Sequence, residues 1–207
     1  MLRIHHLDNS RSQRILWLLE ELALPFEIVK HQRDPQTNLA PPSLLKVHPL
    51  GKSPVLVDGR SVVIESGAIV EYVVRRHGEG RLAPPESSPD WPRYVQLLHY
   101  AEGSAMLPLM LKLYLGRLGE AGAPLQPRVT SEIENHFGWL DRELGDADWF
   151  VGGEFSAADI QLSFAIQAAR LLHGLAKLTS LARFLERAQA RPAYQRALER
   201  GGPYAFG

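Results

Sequence analysis

The side chains of this chain that can do chemistry are hydroxyls, carboxylates, lysines and imidazoles, because cysteine is absent from all 207 residues. That absence excludes a disulfide framework, a thiolate metal site and any Cys-x-x-Cys redox pair. Any sulfur chemistry here must use sulfur that arrives on a ligand. The eight histidines are scattered without metal-ligand spacing, and the adjacent His5 and His6 would face opposite sides of a strand, so no metal is expected. Ser10 and Ser12 stand in Asn9-Ser10-Arg11-Ser12-Gln13-Arg14, where a short apolar run gives way to a helical pattern. A serine there is a good helix N-cap. Glu65-Ser66 precedes a second helical pattern, and the free backbone N–H groups and dipole of a helix start favour an anion. The plainer reading is that Ser66 only caps the helix and Glu65 is solvated.

The elements that must position these residues follow from hydrophobic period. Residues 1–7 lean apolar and end at Asp8-Asn9-Ser10, which predicts a strand. From Ser12, the apolar set Ile15, Leu16, Leu18, Leu19 and Leu22 predicts a helix with Glu20-Glu21 on its outer side, closed by Pro25. Phe26 to Lys30 alternates as a second strand. A Pro-rich loop leads to a short helix near Leu44-Leu45. Val55 to Val57 and Val62 to Ile64 flank Asp58-Gly59, a strong hairpin signal. Ser66 then caps a helix whose inner side carries Ile69, Val70, Tyr72 and Val73. After the Pro- and Ser-rich stretch from Glu79 to Asp90, a linker composition, the strand pattern disappears. Helical patterns run over Trp91–Leu118, with Pro108 as a kink, over Gln126–Leu144 and over Ala157–Leu172, and shorter ones reach Arg200. Ser156-x-x-Asp159 is a capping-box variant.

The fold class read from this order is an α/β unit over 1–79, a linker over 80–89 and an all-α helical unit over 90–207. The 23 basic residues balance the 23 acidic ones, so the chain lacks the charge footprint of a nucleic-acid or anionic-membrane binder. The first residues lack the basic and apolar regions of a signal peptide, and no stretch has the apolar length of a bilayer span. The expected setting is the cytoplasm, without membrane or nucleic-acid partners.

Across essentially the whole chain this pattern resembles the cytosolic glutathione transferases, which join a thioredoxin-like domain to a helical one. Asn9 to Arg14 resembles the turn that bears the family's thiol-activating residue. His48-Pro49-Leu50-Gly51-Lys52-Ser53-Pro54-Val55-Leu56 resembles the approach to its cis-proline, and Glu65-Ser66-Gly67-Ala68-Ile69 its γ-glutamyl site. Phe155-Ser156-Ala157-Ala158-Asp159-Ile160 resembles the capping box of its helical domain. Ser10 to Leu19 is similar to the Ser-Arg-x-x-Arg-aliphatic-Leu-Trp-Leu-Leu run of microbial serine-type members.

The resemblance implies the site roles. Ser10 would support the glutathione thiolate, with Asn9 and Ser12 as its neighbours in register. Glu65 and Ser66 would hold the γ-glutamyl ammonium and carboxylate. The Ser53 backbone before a cis Pro54 would pair with the cysteinyl part, although relatives often carry a β-branched residue where Ser53 stands. Lys52 would meet the glycine carboxylate or be merely solvated. Met106, Met110 and Tyr114 would line a pocket for a small apolar electrophile, or belong to the core or a subunit interface. The expected reaction is glutathione transfer, with glutathione as co-substrate, by a homodimer. The alternatives are glutathione-dependent peroxide reduction, or a binding or regulatory module of this fold without turnover.

Overall fold

Four short apolar strands pair into one mixed sheet in the computed structural model, which describes residues 1–206. The order is β2-β1-β3-β4, with β1 Leu2–Leu7, β2 Phe26–His31, β3 Val55–Asp58 and β4 Ser61–Ile64. Strands β1 and β2 run parallel, joined by helix α1, Ser12–Glu21. Strands β3 and β4 form the antiparallel hairpin that Asp58-Gly59 signals, with Gly59 at φ +59°. Helix α2, Ser66–His77, follows β4. The core of this unit gathers Ile4, Leu16, Leu56, Ile69 and Val73, all fully buried. The architecture is the α/β thioredoxin-like one, with a helical unit beyond it. The short helix expected near Leu44-Leu45 is a 3-10 turn over Pro42–Lys46. Five residues that begin with the second of two prolines cannot support the costly first turn of an α-helix.

Two details of the first unit differ from the sequence reading. Residues 189–205 group with Met1–Leu82 rather than with the helical unit, so the chain returns to its first unit at its end. The reason lies on α1. The Glu20 and Glu21 side chains are largely covered, because arginines at and within helix α8, Pro192–Gly201, lie over them. Arg191 Nε donates to Glu21 Oε1 at 2.6 Å, Arg196 Nε to Glu20 Oε2 at 2.9 Å, and Arg200 Nη1 to Glu20 Oε1 at 2.5 Å. Burial alone would raise the Glu20 carboxyl, but Arg196 and Arg200 hold it below its ordinary value. Tyr194 meets Trp17 edge to face at 5.2 Å between ring centroids. The approach of the two helices is close at Gly201, where a Cβ would lie 2.5 Å from Gln13 Oε1.

The second unit, Ala83–Ala188 with Phe206, is helical. Its elements are α3 Trp91–Tyr100, α4 Met106–Arg117, α5 Gln126–Leu144, α6 Ala157–Leu172 and α7 Thr179–Gln189. The single pattern over Trp91–Leu118 is split by one π-turn at Ala101–Ala105. Pro108 accounts for it, since proline brings no N–H for the carbonyl four residues back and its ring pushes that carbonyl away. Helix α6 is buried from Ala157 to Ala169 and forms the centre of the unit. The capping box at its start is present: Ser156 N–H donates to Asp159 Oδ2 at 2.8 Å. No helix of the described residues is long and apolar enough to cross a membrane.

Candidate functional site

Strand register brings the expected site segments to one edge of the sheet. His5 pairs with Val55 in the antiparallel β1–β3 ladder, and Val55 pairs with Ile64 in the β3–β4 ladder. The residues just after β1, just before β3 and just after β4 therefore lie at the same edge. Those are Asp8 to Ser10, Ser53-Pro54 and Glu65-Ser66, which are far apart in sequence. Helices α1 and α2 both begin there, so two sets of unpaired backbone N–H groups converge with a favourable dipole for negative charge.

The turn between β1 and α1 is tightly bonded. Ser10 is nearly buried, and its Oγ accepts the Ser12 N–H at 3.2 Å and lies 2.7 Å from Ser12 Oγ. Ser12 was read as a helix cap, but the first helical residue is Ser12 itself and no side chain caps α1. Ser12 Oγ instead accepts the Leu7 N–H at 3.1 Å and sits 2.8 Å from His6 Nδ1. Ser12 has no exposed surface, whereas Ser10 keeps 8%. Asn9 takes a left-handed conformation, φ +50°, and its Oδ1 accepts the Ala205 N–H at 2.7 Å. Arg33 ties the turn from below, its Nε donating to Asp8 O at 2.9 Å and its Nη2 to Asn9 O at 3.0 Å. Ser10 is thus the serine of this turn whose side chain is not wholly enclosed.

At the start of α2 the cap differs from the expected one. Glu65 is the N-cap residue and Ser66 the first helical residue, so Ser66 does not cap. Glu65 is exposed and sits at φ +65°, ψ 118°, a region that a side-chain-bearing residue rarely adopts and that costs roughly 1–3 kcal/mol. Ser66 is buried, and Arg14 Nη2 donates to its Oγ at 2.5 Å. This bond ties the start of α1 to the start of α2 with a buried guanidinium beneath the edge. The bridging role of Arg14 is visible only in the fold.

The other expected residues fall as follows. The Ser53–Pro54 bond is cis, and Ser53 Oγ donates to His5 O at 2.9 Å. Lys52 is exposed on the loop before it. In the second unit Met106 is buried in the core, Met110 is half-buried and Tyr114 is exposed, beside the exposed Leu107, Leu111 and Leu118. These three therefore do not share one environment. His6 and Arg33 went unread as site residues, because nothing in the sequence says which strand face or loop approaches the turn.

Comparison with known proteins places the chain in a family. Residues 4–75 match the family described as Glutathione S-transferase, N-terminal domain, and residues 123–203 its C-terminal domain. Glutathione S-transferase 1 of Saccharomyces cerevisiae is 33% identical over 190 residues, 82% of this chain and 81% of that protein. A glutathione S-transferase from Actinobacillus pleuropneumoniae superposes with a TM-score of 0.91 at 31% identity, over 100% of this chain and 95% of the other. A family member from Pseudomonas fluorescens Pf-5, solved with two glutathione molecules bound, has a TM-score of 0.80 at 26% identity, over 96% and 92% of the two chains. By sequence, by both domain patterns and by fold, the chain belongs to the glutathione transferase family.

Proposed function

We propose that the chain binds glutathione along this sheet edge and uses Ser10 to hold its thiol as the thiolate, which attacks a small apolar electrophile. The convergence of Ser10, Ser53-Pro54 and Glu65-Ser66 by strand register carries the reading. The γ-glutamyl ammonium would meet Glu65, its carboxylate the Ser66 end of α2, the cysteinyl part the Ser53 backbone, and the glycine carboxylate Lys52. The thiol proton goes to water, the sulfur forms a thioether bond with the electrophile, and the displaced group or the new carbanion takes the electron pair.

The magnitudes suffice without a general base. A free thiol titrates near ~8.5, so a useful thiolate at neutral pH needs a fall of roughly two units, about 2.7 kcal/mol. One hydroxyl bond to an anion supplies about 1.5–3 kcal/mol, and the adjoining helix start about 0.3–1 kcal/mol more. The experiment is retention on immobilised glutathione followed by turnover of a model aryl halide. The reading expects both. Retention without turnover would favour a binding module, and neither would overturn the reading.

Glu65 provides a separate check, because its backbone is strained and its carboxylate is assigned to the ligand. Glu65→Gly is expected to raise the unfolding free energy by about 1 kcal/mol, by relieving the positive φ. It is expected to raise the KM for glutathione by about ten- to a hundredfold, the loss of one charge-assisted bond. Urea unfolding and steady-state kinetics on the same preparation read both effects. An unchanged KM would remove Glu65 from the site.

A further inference from the structure

We infer that His6, working through Ser12, is a positioning residue that sets the direction in which the Ser10 hydroxyl proton points. The inference rests on the reading that Ser10 meets the glutathione thiol. Its ground is a continuous buried chain of polar atoms: His6 Nδ1 lies 2.8 Å from Ser12 Oγ, which lies 2.7 Å from Ser10 Oγ. Two backbone donors fix the frame, Leu7 N–H to Ser12 Oγ at 3.1 Å and Ser12 N–H to Ser10 Oγ at 3.2 Å. The ring of His6 also bonds the Gly201 carbonyl. Since Nδ1 faces Ser12, that bond belongs to Nε2.

Each hydroxyl has one proton, and Ser12 Oγ also lies 3.2 Å from Leu7 O, a competing acceptor; while the Ser12 proton stays in the chain, there are two senses. In the first, Nε2–H donates to Gly201 O, Ser12 O–H donates to Nδ1, and Ser10 O–H donates to Ser12. Ser10 then turns only lone pairs to the ligand, which suits a neutral thiol donating its S–H. In the second, Nδ1–H donates to Ser12, Ser12 O–H donates to Ser10, and the Ser10 proton is free for a thiolate, at the cost of the Nε2–H bond to Gly201 O, which the bond to the thiolate must offset. A Ser12 proton turned to Leu7 O would uncouple His6 from Ser10, so the inference requires that proton to stay between them. The two senses differ by the move of one imidazole proton from Nε2 to Nδ1 and by the rotation of two hydroxyls.

The imidazole does not itself keep the thiol proton. Burial pushes His6 down to about 4, with Lys30 and His31 lowering it further and Asp8 and the Gly201 carbonyl raising it. A thiol near ~8.5 therefore holds its proton far more tightly than this ring does. His6 acts as a neutral group whose tautomer matches the sense of the chain, and the thiol proton leaves to water.

The test is the ¹⁵N spectrum of His6 in the wild-type protein: ligand-free, with S-methylglutathione, and with glutathione at a pH where its thiol is ionised. Ligand-free protein and the thioether complex should show the Nε2–H tautomer, and the thiolate complex should gain the Nδ1–H tautomer. Identical spectra in the two complexes would overturn the inference. Variants give a second line. His6→Phe and Ser12→Ala should each raise the pKa of the bound thiol by about one unit, the worth of one ordinary hydrogen bond. His6→Asn, with an amide able to donate towards Ser12, should recover most of that shift. In a Ser10→Ala background neither His6→Phe nor Ser12→Ala should change it further. A shift from Ser10→Ala with none from His6→Phe would defeat this inference and leave the function standing. No shift from Ser10→Ala would defeat both.

Discussion

Replacing Ser10 by alanine is expected to raise the pKa of bound glutathione by roughly one to two units, because the hydroxyl supports only the thiolate form. The figure follows from losing about 1.5–3 kcal/mol of hydrogen bonding to an anion, at 1.36 kcal/mol per unit. Turnover of a model aryl halide at neutral pH should fall by about ten- to a hundredfold and partly recover as pH rises. The KM for glutathione should change little, since Glu65, Ser66 and the Ser53 backbone are assigned the peptide. Stability should fall by only about 1 kcal/mol, because the Ser12 N–H loses its acceptor. The pH–rate profiles of the two proteins read the effect. Superimposable rising limbs would reduce Ser10 to a turn residue. Asn9 would not be a ready substitute, since its side-chain oxygen is bonded to Ala205.

The second large effect is expected at Asp159, which has no exposed surface. Its Oδ1 accepts the Phe150 N–H at 3.0 Å, and its Oδ2 accepts the Ser156 N–H at 2.8 Å and the Ser156 hydroxyl at 3.0 Å. Spacing alone suggests the loss of one cap, about 0.5–2 kcal/mol. The structure adds a second buried N–H, from the segment before the helix, and each orphaned donor costs about 1–3 kcal/mol. Asp159→Ala should therefore lower the unfolding free energy by about 3–5 kcal/mol, a large part of a typical domain's stability. The urea midpoint should drop sharply while the folded fraction keeps its KM for glutathione. An unchanged midpoint with weakened glutathione binding would make Asp159 a site residue instead.

The same carboxyl should be visible in the pH dependence of stability. Burial pushes it up to about 6, against the pull of the Phe150 and Ser156 donors. A carboxyl raised in the folded state binds its proton more tightly there than in the unfolded chain. Its contribution is full below the unfolded value, near ~4, and is lost as pH rises towards 6. The difference in stability between wild type and Asp159→Asn should narrow or change sign across that window and stay flat above it.

What could be read from the sequence was what local chemistry encodes. Asp58-Gly59 between β-branched runs specifies a hairpin, and Ser156-x-x-Asp159 before an apolar run specifies a capped helix; both are present. Ser10 and Glu65-Ser66 were found through a resemblance, and strand register then supplied the physical reason that their segments lie at one end of the sheet. Three features were out of reach. The left-handed Glu65 has no signature in composition, as a glycine or asparagine there would have had, and it moves the α2 cap one residue back from Ser66. Glu20 and Glu21 read as an outer face because nothing local says that arginines from 170 or more residues later cover them. His6 and Ser12 become one hydrogen-bonded unit only when β1 and α1 are packed face to face. Only the arginine cover is long-range in sequence; the other two depend on backbone geometry at a turn, which period and spacing do not contain either.

The most direct test of the central claim is the thiolate absorbance of glutathione bound to the wild-type protein, followed against pH. The account predicts an ionisation roughly two units below the free thiol value of about 8.5. It would be contradicted by a protein that binds the tripeptide while its thiol titrates where the free one does.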